Sequence, residues 1–576
     1  MKNQEIAKIF NDIADILEIK GDNPFRIRAY RRAAQNIDGF AADIAGMQEE
    51  ELRKIPGIGR DLAAKIREYA EKGRLAFYEE LKKEIPPHFL EMLSIPGVGP
   101  KTAKMFLDGL GIKNVDSLEK IAKKGKLKGL PGIQAKAEEN ILKGIAMIKR
   151  RTDRYPIGRV LPIAEELLQK LLGEAPIKKF SLAGSLRRWK DTIKDIDILA
   201  TSKNPQKVMH AFVHLPYVKE VLMKGPTKSS IVTHEGIQVD LRVVEEDSFG
   251  SALSYFTGSK THNIRLREMA VRKGLKINEY GIFKSKSGEK IGGKNEIDVY
   301  KTLDLPFIPP ELREDTGEIE AAVKGILPKL VELEDIKGDL HVHSKYSDGS
   351  HDIDELIESA KKRGYEYIAI TDHSKGLGIA GGMSIEQILE QNKKIKSLNK
   401  RLKSFKLLSG VEIDIRSDGK LDYPDEVLKK LDMVVASIHS GFRQSREQLT
   451  KRLVSAMKNP YVSIIAHPTG RLIGEREAYE IDMDEFLKTA KETGSAVEIN
   501  AYPMRLDLSD IYIKKAKEMG IHLAVSTDAH IVYQFDFMRY GIGTARRGWL
   551  EKEDVLNTLP YKILMARIKN QNKATA

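Results

Sequence analysis

Two aspartates, Asp195 and Asp197, stand two positions apart in the segment 181–199, whose pattern predicts a strand, a tight turn and a second strand. Side chains at positions i and i+2 of a strand project from the same face. Carboxylates this close repel each other unless a cation lies between them, so the pair favours a divalent metal site. A further alternating strand, 237–244, carries Asp240 and would complete a three-carboxylate site for two metals. One metal would hold a triphosphate, and the other would lower the pKa of an attacking hydroxyl.

The turn before these aspartates has the residues of an anion cradle. Gly184 and Ser185 allow the backbone to come close to an anion, and Arg187 and Arg188 follow immediately. A carboxylate pair that faces such a cradle is suited to phosphoryl or nucleotidyl transfer. The alternative is an exposed turn followed by a strand in which Asp and Ile merely alternate, and the later Asp240 argues against it.

A second set of candidate ligands follows residue 339, where apolar strands alternate with helix-length segments. Seven strands are predicted, in DLHVHS, YIAITDH, KLLSGVEI, MVVASIH, VSIIAHP, AVEINA and LAVSTDAH. This alternation favours a barrel of parallel strands over an open sheet. Most of the strands place His, Asp or Glu at or just beyond their C-terminal ends, where barrels have their active sites.

The barrel's candidate ligands combine imidazole and carboxylate groups, which suits two or three Mn²⁺ or Zn²⁺ ions better than Mg²⁺. A single histidine at a strand end is usually a hydrogen-bonded core residue, but so many at one barrel mouth are typical of a metal centre. The ligands are His341, His343, Asp348, His373, Glu412, His439, His467, Asp528 and His530, of which the first two are also candidate catalytic residues. Arg471 and Arg505, in later loops, are candidates for phosphate contacts.

The turn, its arginines and the three aspartates resemble the palm of the family X DNA polymerases, the polymerase beta group. The likeness continues through YFTGS at 255–259, Asn263, Arg267 and INEY at 277–280. The resemblance implies that Mg²⁺ or Mn²⁺ is bound by Asp195, Asp197 and Asp240, with Asp240 polarising the primer 3′-hydroxyl.

The same resemblance implies a nucleotide site and a DNA contact. A dNTP would be held by Arg154, Gly184, Ser185, Arg188, Tyr255, Phe256, Gly258, Lys260 and Asn263, and Arg267 would contact DNA. Lys260 departs from the family, because the vertebrate enzyme has an acidic residue there. It would add a positive charge near the triphosphate.

A glycine-containing motif recurs near the N-terminus, as IPGIGRDLAAKI at 55–66, IPGVGPKTAKMF at 95–106 and a degenerate LPGIQAKAEENI at 130–141. This is the helix-hairpin-helix pattern, in which backbone N–H groups at a helix N-terminus meet a DNA phosphate. The motif positions DNA and does not read bases. The DNA-binding candidates are Gly57, Gly59, Gly97 and Gly99.

Lys65 matches the lysine that forms a Schiff base in the deoxyribose-phosphate lyase of this family. Such a nucleophile needs a lowered pKa, from desolvation or cationic neighbours. Asp61 and Phe77 stand where the vertebrate lyase has lysines. We therefore expect Lys65 to bind phosphate, with lyase chemistry as the alternative.

The pattern H-V-H…S-D-G…T-D-H…G-V-E…S-I-H…A-H-P…T-D-A-H resembles the polymerase-and-histidinol-phosphatase (PHP) domain, with its ligand positions intact. This implies an active phosphoesterase. Because the domain is joined to a polymerase, the resemblance implies 3′-5′ exonuclease activity, with abasic-site endonuclease activity and other 3′-end processing as further activities.

The composition fits a protein with a polyanionic partner. The 576 residues include 96 Lys and Arg against 83 Asp and Glu, a formal net charge of +13. The absence of cysteine excludes disulfides and thiolate metal sites. No segment approaches the ~20 apolar residues of a membrane span. We expect a cytoplasmic monomer.

The predicted protein is multi-domain, with helix-hairpin-helix regions, an α+β palm and thumb, and a distorted (β/α)7 PHP barrel. Its predicted function is filling short gaps in DNA repair with dNTPs on gapped or primer-template DNA. The alternatives are a DNA-binding protein whose barrel hydrolyses small phosphate esters, and a non-templated nucleotidyltransferase. The predicted divisions are a helical domain 1–80, a DNA-binding subdomain 81–150, the palm 151–245, the thumb 246–315, a linker 316–336 and the PHP domain 337–576.

Overall fold

The computed structural model describes residues 2–38, 44–55, 57–86, 89–95, 98–131, 133–134, 137–139, 141–142, 144–145 and 154–574. The chain forms two compact units, Met1–Asp153 and Arg154–Ala576. The finer division into six segments stays a prediction. Within the described ranges, no helix combines the length and apolar character needed to cross a membrane.

The first unit is helical, and its apolar residues recur at helical spacing. Phe10, Ile13 and Leu17 of the first helix are buried on one face of that helix. Gly59 and Gly99 occupy the extended N-cap positions of two helices, as the hairpin motif requires. The helices are Lys2–Lys20, Pro24–Asp38, Glu49–Leu52, Arg60–Lys72, Ala76–Lys83, Pro100–Leu110 and Val115–Lys123.

The palm begins the second unit. Its strands are β1 (Tyr155–Pro156), β2 (Lys179–Leu182), β3 (Thr192–Ile193), β4 (Asp195–Thr201), β5 (Val218–Lys224), β6 (Lys228–Thr233) and β7 (Gln238–Val243). Five of them form a sheet in the order β2-β4-β7-β6-β5, in which β4 and β7 are parallel. The palm helices are Ile157–Glu174, Gly184–Arg187 and Pro205–Val213.

Alternation along β4 and β7 separates the palm's core from its functional face. Ile196 and Ile198 of β4 and Val239 and Leu241 of β7 are buried in one apolar core. Since neighbouring residues of a strand point to opposite faces, the intervening aspartates lie on the other face of the sheet.

The thumb follows as a small antiparallel sheet with helices around it. Its strands are β8 (Leu275–Asn278), β9 (Gly281–Lys284) and β10 (Lys290–Gly292). Its helices are Phe249–Thr257, Lys260–Arg272 and Glu296–Thr302, and the helix Glu318–Lys324, which lies in the segment predicted as a linker, packs in the same core. Leu266, Tyr300 and Leu312 are buried in its core.

The barrel strands are parallel: β11 (Gly338–Val342), β12 (Tyr367–Ile370), β13 (Lys406–Ser409), β14 (Glu412–Asp414), β15 (Val435–Ser437), β16 (Ile464–Ile465), β17 (Ala496–Asn500) and β18 (Leu523–Ser526). The ring closes where the His343 N–H donates to the Ala529 carbonyl at 2.8 Å. The barrel helices are Ile353–Lys362, Ile385–Arg401, Asp425–Leu428, Arg446–Met457, Met483–Thr493, Asp510–Glu518, Met538–Arg547 and Tyr561–Ala574.

One barrel strand differs from its prediction. The segment KLLSGVEI is broken at Gly410 and Val411 into β13, which pairs with β12, and β14, which pairs with β15. A Cβ at Gly410 would come within 2.9 Å of the Thr371 methyl group, so a side chain would be crowded at this interruption. Glu412 follows the interruption, and a backbone bridge joins it to His373.

The palm and the barrel pack closely against each other within the second unit. A Cβ on Gly158 would approach Pro503 to 2.1 Å, and a Cβ on Gly543 would approach the Trp189 ring to 2.4 Å. Leu506 and Tyr540 of the barrel belong to the same apolar core as the palm helices. The two domains therefore share an apolar core.

Candidate active sites

The palm carboxylates lie side by side on parallel strands. Asp197 of β4 is in register with Asp240 of β7, and Asp195 is in register with Gln238. The Gln238 side-chain amide donates to Asp240 at 3.0 Å, and the Lys228 ammonium lies 3.8 Å from the other Asp240 oxygen. Sequence spacing placed the first two aspartates on one face, and the strand order adds the third.

The environment of Asp197 shows why this face favours a cation. Burial, and then the charges of Asp195 and Asp240, raise the pKa of Asp197 to about 7. A divalent ion would relieve this repulsion and favour the ionised carboxylate. Gly184 has a φ of +61°, and a Cβ there would lie 2.3 Å from an Asp197 oxygen. Only glycine allows the turn to come this close to the carboxylates.

The two arginines after the turn have separate partners. Arg187 donates two hydrogen bonds of 2.7 Å to the carboxylate of Glu296, which ties the palm to the thumb. Arg188 donates to Glu314 at 3.0 Å and also to the Thr257 carbonyl. Arg188 is therefore held in place by the protein while it lines the cleft beside the aspartates.

That cleft has a volume of about 420 Å³. All of the residues predicted to hold a dNTP line it: Arg154, Gly184, Ser185, Arg188, Tyr255, Phe256, Gly258, Lys260 and Asn263. Asp195, Asp197 and Arg267 line it too, and so does Lys194, which sequence reasoning missed. The basic residue directly before the D-x-D motif was a usable signal.

Backbone contacts fix several of these side chains. The Asn263 amide donates to the Tyr255 carbonyl at 2.7 Å, and Arg267 donates to the Asn263 carbonyl at 3.3 Å. Arg154 donates to the Thr192 hydroxyl at 3.1 Å. The cleft thus has carboxylates beside five cationic side chains of the thumb and palm, which suits a metal-bound polyanion.

The predicted DNA contacts of the first unit are described only in part. Gly57 has a φ of +79° and packs on the stem of Arg32, while Gly59 and Gly99 precede helix N-termini. Gly97 lies outside the described residues. These turns expose N-terminal N–H groups of helices, the feature that binds a phosphate in this motif.

Lys65 is engaged by its own unit. Its ammonium lies 2.5 Å from the Asp61 carboxylate and 5.3 Å from the centre of the Phe77 ring. Only 15% of the Lys65 side chain is exposed, and its ammonium is engaged by the Asp61 carboxylate. The amine would have to leave this ion pair before it could attack a sugar aldehyde.

The barrel brings its predicted ligands together at one mouth. Among the described residues, three overlapping groups have ligand atoms within 4.8 Å of one another: His343, Asp348, His373 and His530; His341, His343, Glu412 and Asp528; and His373, Glu412 and His439. His467 joins them, because its Nε2 lies 3.0 Å from Glu412. Among the described residues, the three palm aspartates do not form a group whose ligand atoms all lie within 4.8 Å of one another.

Buried ring nitrogens show that this cluster fits metal ions. His341 Nε2, His373 Nδ1, His467 Nδ1 and both nitrogens of His343 are buried without a hydrogen-bond partner. One oxygen of Glu412 is in the same state. Buried polar atoms are rarely left unpaired, and these point into a cluster of metal-binding side chains.

Two ligands of the barrel cluster are already in the ionisation state that binds metals, whereas burial is outweighed at His373 by the charge of Glu412, which raises the pKa of His373 to about 10, so a metal would displace the His373 proton. Burial alone would raise the pKa of Glu412, but the charges of His439, His373 and His341 hold it well below the ordinary value. Burial and the charges of His530 and His373 lower the pKa of His343 to about 3. Glu412 is therefore a carboxylate and His343 a neutral imidazole, the forms that bind metals.

Sequence reasoning missed a supporting shell of carboxylates around these ligands. Glu498 accepts a hydrogen bond of 2.7 Å from His341 Nδ1, and its second oxygen accepts one of 2.7 Å from the His467 N–H. Asp372 accepts three hydrogen bonds from Ser344 and Ser347. The sequence signal for Glu498 was a glutamate in the middle of the apolar segment AVEINA.

The two barrel arginines differ in their contacts. Arg471 donates to the Arg505 and Leu506 carbonyls and lies 3.3 Å from Asp191 of the palm, so its guanidinium holds two domains together. Arg505 lies 3.9 Å from Asp528 at the metal cluster. Arg505 is thus the better placed of the two for a substrate phosphate.

Four family models match parts of the chain. They are a helix-hairpin-helix domain at residues 1–75, a SAM-like helix-hairpin-helix tandem at 89–146, the DNA polymerase beta thumb at 252–314 and the PHP domain at 339–502. The chain is 41% identical to the DNA polymerase/3′-5′ exonuclease PolX of Bacillus subtilis over 574 residues, which is 99% of this chain and 100% of the relative. The chain belongs to the family X DNA polymerases that carry a C-terminal PHP domain.

Two other relatives match shorter stretches of this family X chain. DNA polymerase lambda of Rattus norvegicus is 27% identical over 343 residues, 54% of this chain and 56% of the relative. A protein named probable phosphatase, from Caldanaerobacter subterraneus, is 34% identical over 238 residues, 39% of this chain and 88% of the relative. The predicted family and fold class are confirmed.

Proposed function

We propose that this protein fills short gaps in DNA during repair, with nucleotidyl transfer in the palm and 3′-5′ exonuclease activity in the barrel. The observation that carries this proposal is the presence of two separate acidic clusters in a chain that matches a polymerase/exonuclease along its whole length. Helix-hairpin-helix regions at residues 1–146 support DNA as the substrate.

In the palm, Asp195, Asp197 and Asp240 would hold Mg²⁺ or Mn²⁺, which supplies charge neutralisation of the triphosphate and a lowered pKa for the primer hydroxyl. Asp240 would orient the primer 3′-hydroxyl, because it lies beside Asp197 on the neighbouring strand. Gly184 and Ser185 would let the backbone approach the phosphates, with Arg188 beside them. Catalysis of this kind consists mainly of positioning and charge stabilisation.

The rest of the nucleotide would lie against the thumb. Tyr255, Phe256 and Gly258 would contact sugar and base, and Asn263 is fixed for a polar contact by its bond to the Tyr255 carbonyl. Lys260 would add a positive charge to the cleft, and Arg267 would contact the DNA backbone.

In the barrel, the nine histidines and carboxylates at its mouth would hold two or three Mn²⁺ or Zn²⁺ ions, which would lower the pKa of a water for hydrolysis of a terminal phosphodiester. Glu498 keeps His341 Nε2 pointed at the cluster by accepting a hydrogen bond from Nδ1. Arg505 would bind the phosphate beside it. Abasic-site and other 3′-end processing would use the same groups.

Two substitutions test the two-site proposal on the full chain. Asp195→Ala should abolish primer extension and spare degradation of the primer, because it removes a carboxylate of the palm alone. His341→Ala should abolish degradation and spare extension. If either variant loses both activities while its melting curve is unchanged, the two reactions do not have separate sites.

The relationship to a probable phosphatase favours a second candidate function, hydrolysis of small phosphate monoesters in the barrel. Competition between a labelled primer and histidinol phosphate would decide between the two. If the monoester is hydrolysed much faster than DNA, the barrel is a small-molecule phosphatase.

We also propose that the protein acts as a monomer in the cytoplasm.

A further inference from the structure

A chain of charged side chains behind Arg188 joins the nucleotide cleft to the barrel. Arg188 lines the nucleotide cleft, and its Nε donates to Glu314 at 3.0 Å. The same Glu314 oxygen accepts a hydrogen bond of 3.0 Å from Arg547, a residue of the barrel helix Met538–Arg547. A carboxylate oxygen thus joins a palm arginine to a barrel arginine.

Arg547 also holds the backbone of Arg188. Its Nη1 donates to the Arg188 carbonyl at 2.7 Å, and its Nε donates to Asp510 at 2.9 Å within the barrel. Only 5% of the Arg547 side chain is exposed. The guanidinium fork is therefore fixed from the barrel side, and it fixes both ends of Arg188 on the palm side.

The barrel also contacts the loop that follows Arg188. Trp189 packs on Gly543 of the barrel helix, and Asp191 lies 3.3 Å from Arg471. The segment that follows the Gly184–Ser185 cradle is thus shaped by the PHP barrel as much as by the palm itself.

We propose that Arg547 is a positioning residue for nucleotide binding, which sets the orientation of Arg188 through Glu314. The proposal rests on the proposed function of the cleft as a dNTP site. It makes the nuclease barrel a structural part of the polymerase site, because an arginine aimed by fixed partners loses little freedom when a triphosphate binds.

The test measures kcat and KM for a dNTP in single-nucleotide gap filling by the full chain, at saturating DNA. Arg547→Gln should raise the dNTP KM about tenfold, since hydrogen bonds to charged groups are worth about this much, and should leave kcat within about twofold. Equilibrium binding of the dNTP to a dideoxy-terminated gap should weaken by the same factor. Arg547→Lys should restore part of the affinity.

A double-substitution cycle separates positioning from general damage. If Arg547 acts through Arg188, adding Arg547→Gln to Arg188→Gln should not weaken dNTP binding further. The matched control is Arg539→Gln, because Arg539 lies on the same helix and also crosses to the palm, but it pairs with Glu165 and not with Glu314 or Arg188. It should leave the dNTP KM unchanged.

Should Arg547→Gln fold poorly, Glu314→Gln provides the same test, with the same rise in KM expected. An unchanged KM in a folded variant, or independent effects in the double variant, would overturn the proposal. If the unsubstituted protein does not extend a primer at all, it is the function proposed for the palm that fails, and this outcome is distinct from the first.

Discussion

Replacing Glu498 by glutamine should weaken metal binding in the barrel although no metal ligand is touched. One Glu498 oxygen accepts from His341 Nδ1 at 2.7 Å, and the other accepts from the His467 N–H at 2.7 Å and the Asn500 amide at 3.2 Å. The glutamine oxygen would keep the second pair of bonds, so its NH₂ would face His341. His341 would then carry its proton on Nε2, the nitrogen that points into the cluster.

The expected loss is about 10- to 100-fold in metal affinity, or about 1.4–2.7 kcal/mol, as for other partners of metal-bound histidines. Calorimetric titration of the metal-free protein with Mn²⁺ measures it, and the exonuclease should need correspondingly more metal. Gap filling in the same sample is the internal control. Glu366→Gln is the matched variant, since that half-exposed glutamate directly precedes β12, at the opposite end of the strand from the ligands, and pairs with Lys337. Binding within twofold of the unsubstituted protein would refute the tautomer argument.

Three further outcomes are expected. Gly184→Ala should reduce primer extension more than tenfold and leave degradation intact, because its φ of +61° and the 2.3 Å approach to Asp197 leave no room for a methyl group; normal extension would contradict this. With a chelator present, Asp197→Asn should raise the melting temperature at pH 8 but not at pH 4. Folding raises the pKa of Asp197 from 3.8 to about 7, so between these pH values the folded state binds a proton that the unfolded state lacks. The unsubstituted protein therefore loses stability as the pH rises from 3.8 to about 7, and the neutral asparagine avoids this loss. Equal shifts at both pH values would count against it. Borohydride should trap no adduct of Lys65 with an abasic 5′ end, because the Lys65 ammonium is tied to the Asp61 carboxylate and its side chain is only 15% exposed; a covalent product lost in Lys65→Ala would show that the lyase is active.

Spacing alone was enough to predict which face of each strand carries chemistry. Asp195 and Asp197 share a face because side chains alternate along a strand. Ile196 between them and Ile198 after them are buried on the opposite face. The partner strand was harder, since nothing local to Asp240 states that it pairs with Asp197 in register. That pairing comes from the order of strands in the sheet, which is a long-range property.

The supporting contacts were beyond the reach of sequence. Glu498 lies 157 residues from the histidine that it orients. The interruption between β13 and β14 at Gly410 lies against the Thr371 side chain, 39 positions earlier in the sequence. Arg188 was predicted as a nucleotide contact, but its bond to Glu314 spans 126 residues. Such partners are chosen by tertiary packing, so local pattern does not reveal them.

The shared core of palm and barrel has a consequence for dividing the protein. Leu506 and Tyr540 complete a cluster whose other members belong to the palm, and Trp189 fits a notch at Gly543. A fragment that ends before the barrel would expose this apolar surface to water, and the fragment would be prone to self-association. Evolution could therefore lose the nuclease chemistry by changing a few histidines far more easily than it could discard the domain.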